Sequence, residues 1–346
     1  MRIGSARETY SQDEALFDSH TKRVWLCVLG TGLVLFPFFA GQYWLYLACL
    51  VAINVASATG LNILTGYTGQ VSLGQAAFMG VGAYAVAVLE KQLGTPVLLN
   101  LLCAGGAAML VGLVVGIPSL RVKGLYLAIA TIAASFILHF IFANWTRVTG
   151  GTAGLTVPPA TIFGLALDTE FRLYWLIMPF TVLMLAGAAN LFRTRIGRAF
   201  IAIRDRDISA EVLGIPLLRY KLLSFGLSSF YAGVAGGLWA YFFRSVTPES
   251  FPLLMSIFFL AAIIVGGMGS ILGGILGAVF MTLVPEVLKL MVGWLPNASE
   301  AMVFLAPVRT IVFGALIVGF LIFEPHGLAE IWRRIRRFFH LWPFRS

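Results

Sequence analysis

Charge is what this 346-residue sequence has least of, and none occurs between Val24 and Leu89. Only 11% of residues are charged, 59% are hydrophobic, and the mean hydropathy is +0.91. A soluble domain of this length cannot hide so much apolar side chain, so lipid is the solvent for most of the chain. Other absences narrow the chemistry. The motif G-x-x-x-x-G-K-[ST] does not occur, so this chain does not cradle ATP phosphates itself. There is no H-E-x-x-H and no pair of acids inside an apolar run, which argues against a membrane protease or a metal enzyme. Cys27, Cys49 and Cys103 lie in apolar runs without paired spacing and read as small packing residues rather than metal ligands or a disulfide. His139 is the one histidine inside such a run and reads as packed. No cofactor, metal or nucleic acid is expected.

What is present is a series of long charge-free intervals: 24–89, 92–120, 124–146, 148–167, 173–192, 222–243 and 250–285. A last apolar stretch, 301–323, is interrupted only by Arg309. A bilayer core takes roughly 20 apolar residues per helix. The interval 148–167 is rich in Gly, Pro and Thr and reads as an external loop. Dividing the rest at its breakers predicts an all-α polytopic membrane protein of about ten transmembrane helices: 24–40, 43–64, 72–89, 97–117, 124–143, 173–192, 222–243, 253–267, 271–291 and 304–323. With ten crossings, one side collects 18 of the 24 basic residues and nine acids, and the other side nets zero. The positive-inside rule then puts both termini in the cytoplasm. Residues 1–23 form a cytoplasmic N-terminal segment, 24–323 the membrane domain and 324–346 a basic tail. The acids ahead of the first apolar run and the poor cleavage site "FFAGQ" read against a cleavable signal. Glu286 and Arg309 fall near helix ends on the outer side and read as interfacial structure.

One stretch breaks the apolar pattern. Residues 66–78, "GYTGQVSLGQAAF", place glycines, amides and hydroxyls in the middle of a charge-free interval. Backbone that leaves the helix in lipid must be shielded by protein or face water. Gly66 and Gly69 permit a turn, Gly74 lets a neighbouring backbone approach, and Gln70, Ser72 and Gln75 supply donors and acceptors. Asn54, Thr59 and Asn62 on the preceding helix add more. None is ionisable, so the group suits either the pathway of a neutral or zwitterionic solute or hydrogen bonding between helices. An internal echo exists: Gly66, Gly69 and Gly74 recur as Gly266, Gly269 and Gly274. Matching breaks in two halves of a transporter point to its substrate route.

Two basic features complete the chain. Segment 193–221, "RTRIGRAFIAIRDRDISAEVLGIPLLRYK", carries seven basic and three acidic residues. Asp207 is placed to cap a short helix, Gly214 to end it and Pro216 just beyond. Ile208, Ala210, Val212 and Leu213 alternate there with Ser209 and Glu211, flanked by Arg198, Arg204, Arg206 and Arg219. The alternative is a charged loop that merely sets topology. In the tail, "EIWRRIRRFFHLW", Ile331, Trp332, Ile335, Phe338, Phe339 and Trp342 are set against Arg333, Arg334 and Arg337 at helical spacing, a strip suited to lie on anionic lipid.

The block "GLNILTGYTGQVSLGQAAFMGVGAYAVAVL" (60–89) resembles the permease subunits of bacterial branched-chain amino-acid ABC importers, the LivH/LivM family. The resemblance continues through "GLYLAIATIAASFILHFIFANW" (124–145), "VTGGTAGL" (148–155), residues 193–240, "TPESF" (247–251), "VGGMGSILGGILGAV" (265–279) and "EPHGL" (324–328). Gln75 departs from the family, which often has histidine there. The resemblance implies interrupted helices near the midplane and residence in the bacterial inner membrane. It implies a homologous LivH-type permease, two cytoplasmic ATPases and a periplasmic binding protein as partners, with the ATPases hydrolysing the nucleotide. The family pattern A-I-R-D … A-x-x-L-G-I, matched by Ala202, Ile203, Arg204, Asp205, Ala210, Leu213, Gly214 and Ile215, implies a coupling helix seated on an ATPase. A urea or short-chain amide importer, a nucleoside or sugar system of the wider superfamily, and a stand-alone ion-coupled carrier remain as other readings.

Overall fold

The computed structural model describes residues 20–119, 124–162, 165–293, 305–324 and 327–341. The N-terminal segment before His20, Arg121, Lys123 and Trp342 lie outside the described residues, as does the side chain of Arg309. The chain is helical almost throughout: α1 His20–Phe39, α2 Gln42–Leu61, α3 Gln75–Leu93, α4 Val97–Ser119, α5 Leu125–Asn144, α6 Glu170–Arg193, α7 Arg195–Asp205, α8 Asp207–Val212, α9 Leu217–Phe243, α10 Leu253–Gly266, α11 Ile271–Gly293, α12 Leu305–Phe323 and α13 Leu328–Leu341. α2 runs on without a break into a wider π-helical turn, Asn62–Tyr67.

Among the described residues, seven segments are long and apolar enough to cross a membrane: Gln42–Tyr67, Val97–Pro118, Leu125–Asn144, Glu170–Arg193, Leu217–Phe243, Pro248–Gly266 and Ile271–Lys289. The Gly-Pro-Thr interval after α5 is irregular, as expected from its composition. It holds a helical turn (Thr146–Thr149), a 3-10 turn and three two-residue strands, β1 Leu155–Thr156, β2 Thr161–Ile162 and β3 Leu165–Ala166. β1 pairs antiparallel with β4, Ser245–Val246, just after α9, and β2 pairs with β3.

α9 is the axis of the bundle, packed against α2, α3 and α4. Its small residues let backbones meet. A Cβ on Gly82 of α3 would overlap the Gly233 carbonyl, and one on Gly236 would overlap the carbonyl of Met79. Lipid offers no hydrophobic drive between helices, so this close van der Waals packing carries the association.

Polar contacts sort the bundle into two ends. At one, Tyr43 donates to Glu286 at 2.8 Å, Gln42 to Glu170 at 2.8 Å, and Arg244 pairs with Asp168 at 3.3 Å. There Asn100 and Tyr241 both donate to the Glu90 carboxylate, at 2.6 and 2.7 Å, tying α3, α4 and α9 together. Glu286 also takes Lys289 at 2.6 Å. The opposite end, here the basic end, gathers the π-turn of α2, α7, α8, the α10–α11 loop and the start of α13. His139 does not pack inward: it is exposed on α5.

Candidate translocation joint and coupling segment

The polar glycine stretch lies between two helices and forms the candidate joint. α2 ends in its π-turn, residues 68–74 run without regular structure, and α3 starts at Gln75 instead of the expected 72. Gln75 Nε2 donates to the Ser57 carbonyl at 2.8 Å and to Ser57 Oγ at 3.2 Å. Ser57 lies ten residues before Tyr67 on α2, a rise of about 15 Å. Residues 68–74 therefore climb back into the bundle before α3 takes over.

Irregular backbone at that depth needs partners, and side chains of other helices provide them. Leu73 N–H donates to Thr131 Oγ1 at 2.9 Å, and Ser135 Oγ donates to the Leu73 carbonyl at 3.2 Å. Ala76 N–H at the start of α3 donates to Ser256 Oγ at 3.0 Å. Gln70 Nε2 reaches Ser224 Oγ at 2.8 Å, and Ser72 Oγ takes the Gly74 N–H at 3.2 Å. Asn54 donates to Thr282 Oγ1 at 3.0 Å, and Thr59 to the Val55 carbonyl at 2.7 Å. All six polar residues singled out from the sequence (Asn54, Thr59, Asn62, Gln70, Ser72 and Gln75) are buried and hydrogen-bonded. Ser57, Ser224 and Thr282, their partners, were not singled out, nor were Thr131, Ser135 and Ser256, which hold the Leu73 and Ala76 backbone; each is a small hydroxyl within an apolar helix.

The echo between the two glycine series has a spatial meaning. Asn62 Oδ1 accepts the Gly269 N–H at 3.0 Å, and Asn62 Nδ2 donates to the Ser270 carbonyl at 2.8 Å. A Cβ on Gly66 would lie 2.5 Å from the Gly269 nitrogen. The glycines divide their work differently from the sequence expectation. Gly69 makes the turn, with φ +73°, while Gly66 gives the close backbone approach. Gly74 does not: the nearest atoms to a Cβ there belong to the Phe78 ring, at 3.1 Å.

Arg204 links this joint to the basic segment. Its Nη1 donates to the Gly66 carbonyl at 3.1 Å, its Nη2 pairs with Asp205 at 3.1 Å, and its side chain lies under Gly69. The Tyr67 ring stacks on Phe192, centroids 3.4 Å apart, where α6 leads into the segment. α7 buries Ala199, Phe200 and Ile203 and turns Arg198 to the surface. α8 follows, with Asp207 as its first residue, not the residue before it; the carboxylate accepts the Ile208 N–H at 2.9 Å and pairs with Lys221 at 3.5 Å. At the other end, Gly214 (φ +84°) donates to the Glu211 carbonyl and Ile215 N–H to that of Ala210, the double bond of a Schellman stop. Ala210 is buried, whereas Ile208, Val212 and Leu213 are 71, 83 and 80% exposed. A cleft of about 550 Å³ lies between the Gly69 turn and α8, walled by Gln70, Arg204, Asp207 and Lys221.

Among the described residues no cluster of His, Cys, Asp or Glu could hold a metal ion. The exposed apolar face of α8 and the amide-paired π-turn of α2 lie at the same end of the bundle. Residues 43–321 match the family model described as branched-chain amino acid transport system / permease component. The chain is 31% identical over 336 residues to the high-affinity branched-chain amino acid transport system permease protein LivM of Escherichia coli, covering 90% of this chain and 76% of that one. It is 26% identical over 306 residues to the probable branched-chain amino acid transport permease protein LivH of Methanocaldococcus jannaschii, covering 82% and 90%. A shorter likeness, 34% over 122 residues and 34% of each chain, is to the autoinducer 2 import system permease protein LsrC of Klebsiella pneumoniae. No solved structure matches. The chain belongs to the branched-chain amino-acid transport permeases, with the LivM proteins among its relatives.

Proposed function

We propose that this chain is the membrane subunit of an ATP-driven importer of branched-chain amino acids, resident in the inner membrane. In this reading it pairs with a LivH-type permease, two cytoplasmic ATPases and a periplasmic binding protein that does most of the selecting. All ten apolar helices cross, α1, α3 and α12 with the seven segments named above, and the basic end faces the cytoplasm together with both termini. Positive charge is retained on that side.

The observation that carries the proposal is α8. Its stop is closed by two backbone hydrogen bonds, and its apolar side chains Ile208, Val212 and Leu213 point away from the bundle at the most charged end of the chain. An exposed apolar face rimmed by charge fits a protein cleft. Arg198, Arg204, Asp205, Asp207, Ala210, Glu211, Leu213, Gly214 and Ile215 form the element that receives the ATPase stroke. Arg204 then passes it to the Gly66 carbonyl and the joint. Asn54, Thr59, Asn62, Gly66, Gly69, Gln70, Ser72, Gly74 and Gln75 line or hinge the route; their uncharged amides and hydroxyls suit a zwitterion once the closed joint opens.

Co-purification from membranes tests the assembly, and leucine uptake into vesicles tests its use. The expected outcome is ATPase subunits in stoichiometric amount, with uptake that needs ATP and the binding protein. Leu213→Asp should leave the fold intact and abolish nucleotide-dependent uptake. Uphill uptake by the purified chain alone would overturn the proposal.

A further inference from the structure

The C-terminal helix is fastened to the joint by one glycine. Gly327, at the α12–α13 corner, has φ +69°, and a Cβ there would lie 2.5 Å from the Gly267 nitrogen and 2.7 Å from the Val265 carbonyl. That loop continues into Gly269 and Ser270, both held by Asn62. α13 also packs inward through Leu328, against the small core of Val265 and Met281, and its Ala329 is buried. Arg334 fixes the corner angle by pairing with Glu324 at 2.9 Å and Glu330 at 4.0 Å, while Arg333 pairs with Glu330 at 3.0 Å.

The rest of α13 faces outward. Trp332, Ile335 and Phe338, spaced three apart on one face, are each about half exposed, and Arg333, Arg334 and Arg336 are exposed beside them. Four residues separate the helix from the end of the apolar α12 at Phe323, so its height is set by the membrane boundary. Two acids, Glu324 and Glu330, neutralise part of this cationic strip, and charge remains over for phosphate headgroups.

We propose that α13 is a membrane-charge sensor. Its apolar edge lies in the headgroup region of the inner leaflet, its arginines take anionic phospholipid, and the degree of seating is passed through Gly327 to the Gly267–Gly269 loop and so to the joint. The inference rests on the proposed function only for placing this end at the inner leaflet. It adds a regulatory ligand, the anionic lipid surface, to a gate otherwise driven by ATP.

The full importer, reconstituted in nanodiscs with increasing phosphatidylglycerol, tests this by two readouts. Hydrogen exchange of residues 328–341 should slow as anionic lipid rises, and the ATPase rate should change with it. Each basic side chain near such a surface is worth roughly fivefold in partitioning, and Arg333 is partly neutralised by Glu330. Arg333→Gln/Arg336→Gln should therefore need about tenfold more anionic lipid for the same protection, with the rate in purely zwitterionic lipid unchanged. Gly327→Ala should keep the lipid-dependent protection and lose the rate response. Protection that ignores lipid charge overturns the proposal, as does protection that appears only when the ATPase subunits are present, which would make α13 a protein-docking helix. The exchange readout needs no substrate, so an importer of another solute would leave it standing.

Discussion

Asn62 holds Gly269 from across the bundle: one amide side chain takes the Gly269 N–H at 3.0 Å and gives a hydrogen bond to the Ser270 carbonyl at 2.8 Å. The two residues are 207 positions apart, yet Asn62 lies beside one of two glycine series with matching spacing and Gly269 belongs to the other. The α2 π-turn and the α10–α11 loop are thus closed on each other.

Replacing Asn62 by Leu keeps the size and removes both bonds. It leaves the half-buried Gly269 N–H unpaired, at about 1–3 kcal/mol, while the Ser270 carbonyl keeps the Gly274 N–H at 3.1 Å. Thermal unfolding in detergent should show a markedly lower midpoint; an unchanged midpoint would mean the loop finds other partners.

Gly66 and Gly74 should respond differently to the same change. Gly66→Ala drives a methyl into the Asn62 side chain and the Gly269 backbone and should cost several kcal/mol or prevent folding. Gly74→Ala meets only the edge of the Phe78 ring at a backbone angle any residue adopts, and should cost about 1 kcal/mol or less. Yield of monodisperse protein separates the two.

Gly214→Ala meets nothing within 4 Å, so its cost is backbone strain alone, roughly 1–2 kcal/mol at φ +84°. That strain falls on the six-residue α8, not on the bundle. The expected result is near-normal thermal stability with weakened stimulation of ATP hydrolysis by substrate-loaded binding protein; equal loss of both would place Gly214 in the general fold.

At the far end, Tyr241 and Glu90 should be coupled. Tyr241→Phe removes a donor 2.7 Å from a half-buried carboxylate and should destabilise by about 1–3 kcal/mol. In a double-mutant cycle with Glu90→Gln, about 1–2 kcal/mol of that loss should disappear. Additive losses would show that Asn100 alone holds Glu90.

Much of the helix layout could be read from charge-free intervals, because lipid permits few other patterns. α6 was expected over 173–192 and spans Glu170–Arg193. α9 starts five residues earlier than expected because Arg219 and Lys221 ride on a helix that begins before the apolar run does. α3 starts later because Thr131 and Ser135 satisfy the backbone before it and Ser256 takes the Ala76 N–H in its first turn, and a few hydroxyls in apolar helices leave no periodic trace. The glycine echo did carry a signal, since backbones that meet need glycine on both sides. Which glycine turns and which one is approached was not legible, because composition is blind to φ.

In the proposed importer, the overlap-tight seams at Gly82 with Gly233 and at Gly236 with Met79 bear on how the chain can move. Carbonyls meshed without an intervening side chain behave like cogs: α3 and α9 cannot slip past each other by part of a turn. Any stroke must carry that pair as a stiff ram, and the bending falls to the loops around Gly69 and Gly267, where the chain already sits in left-handed geometry.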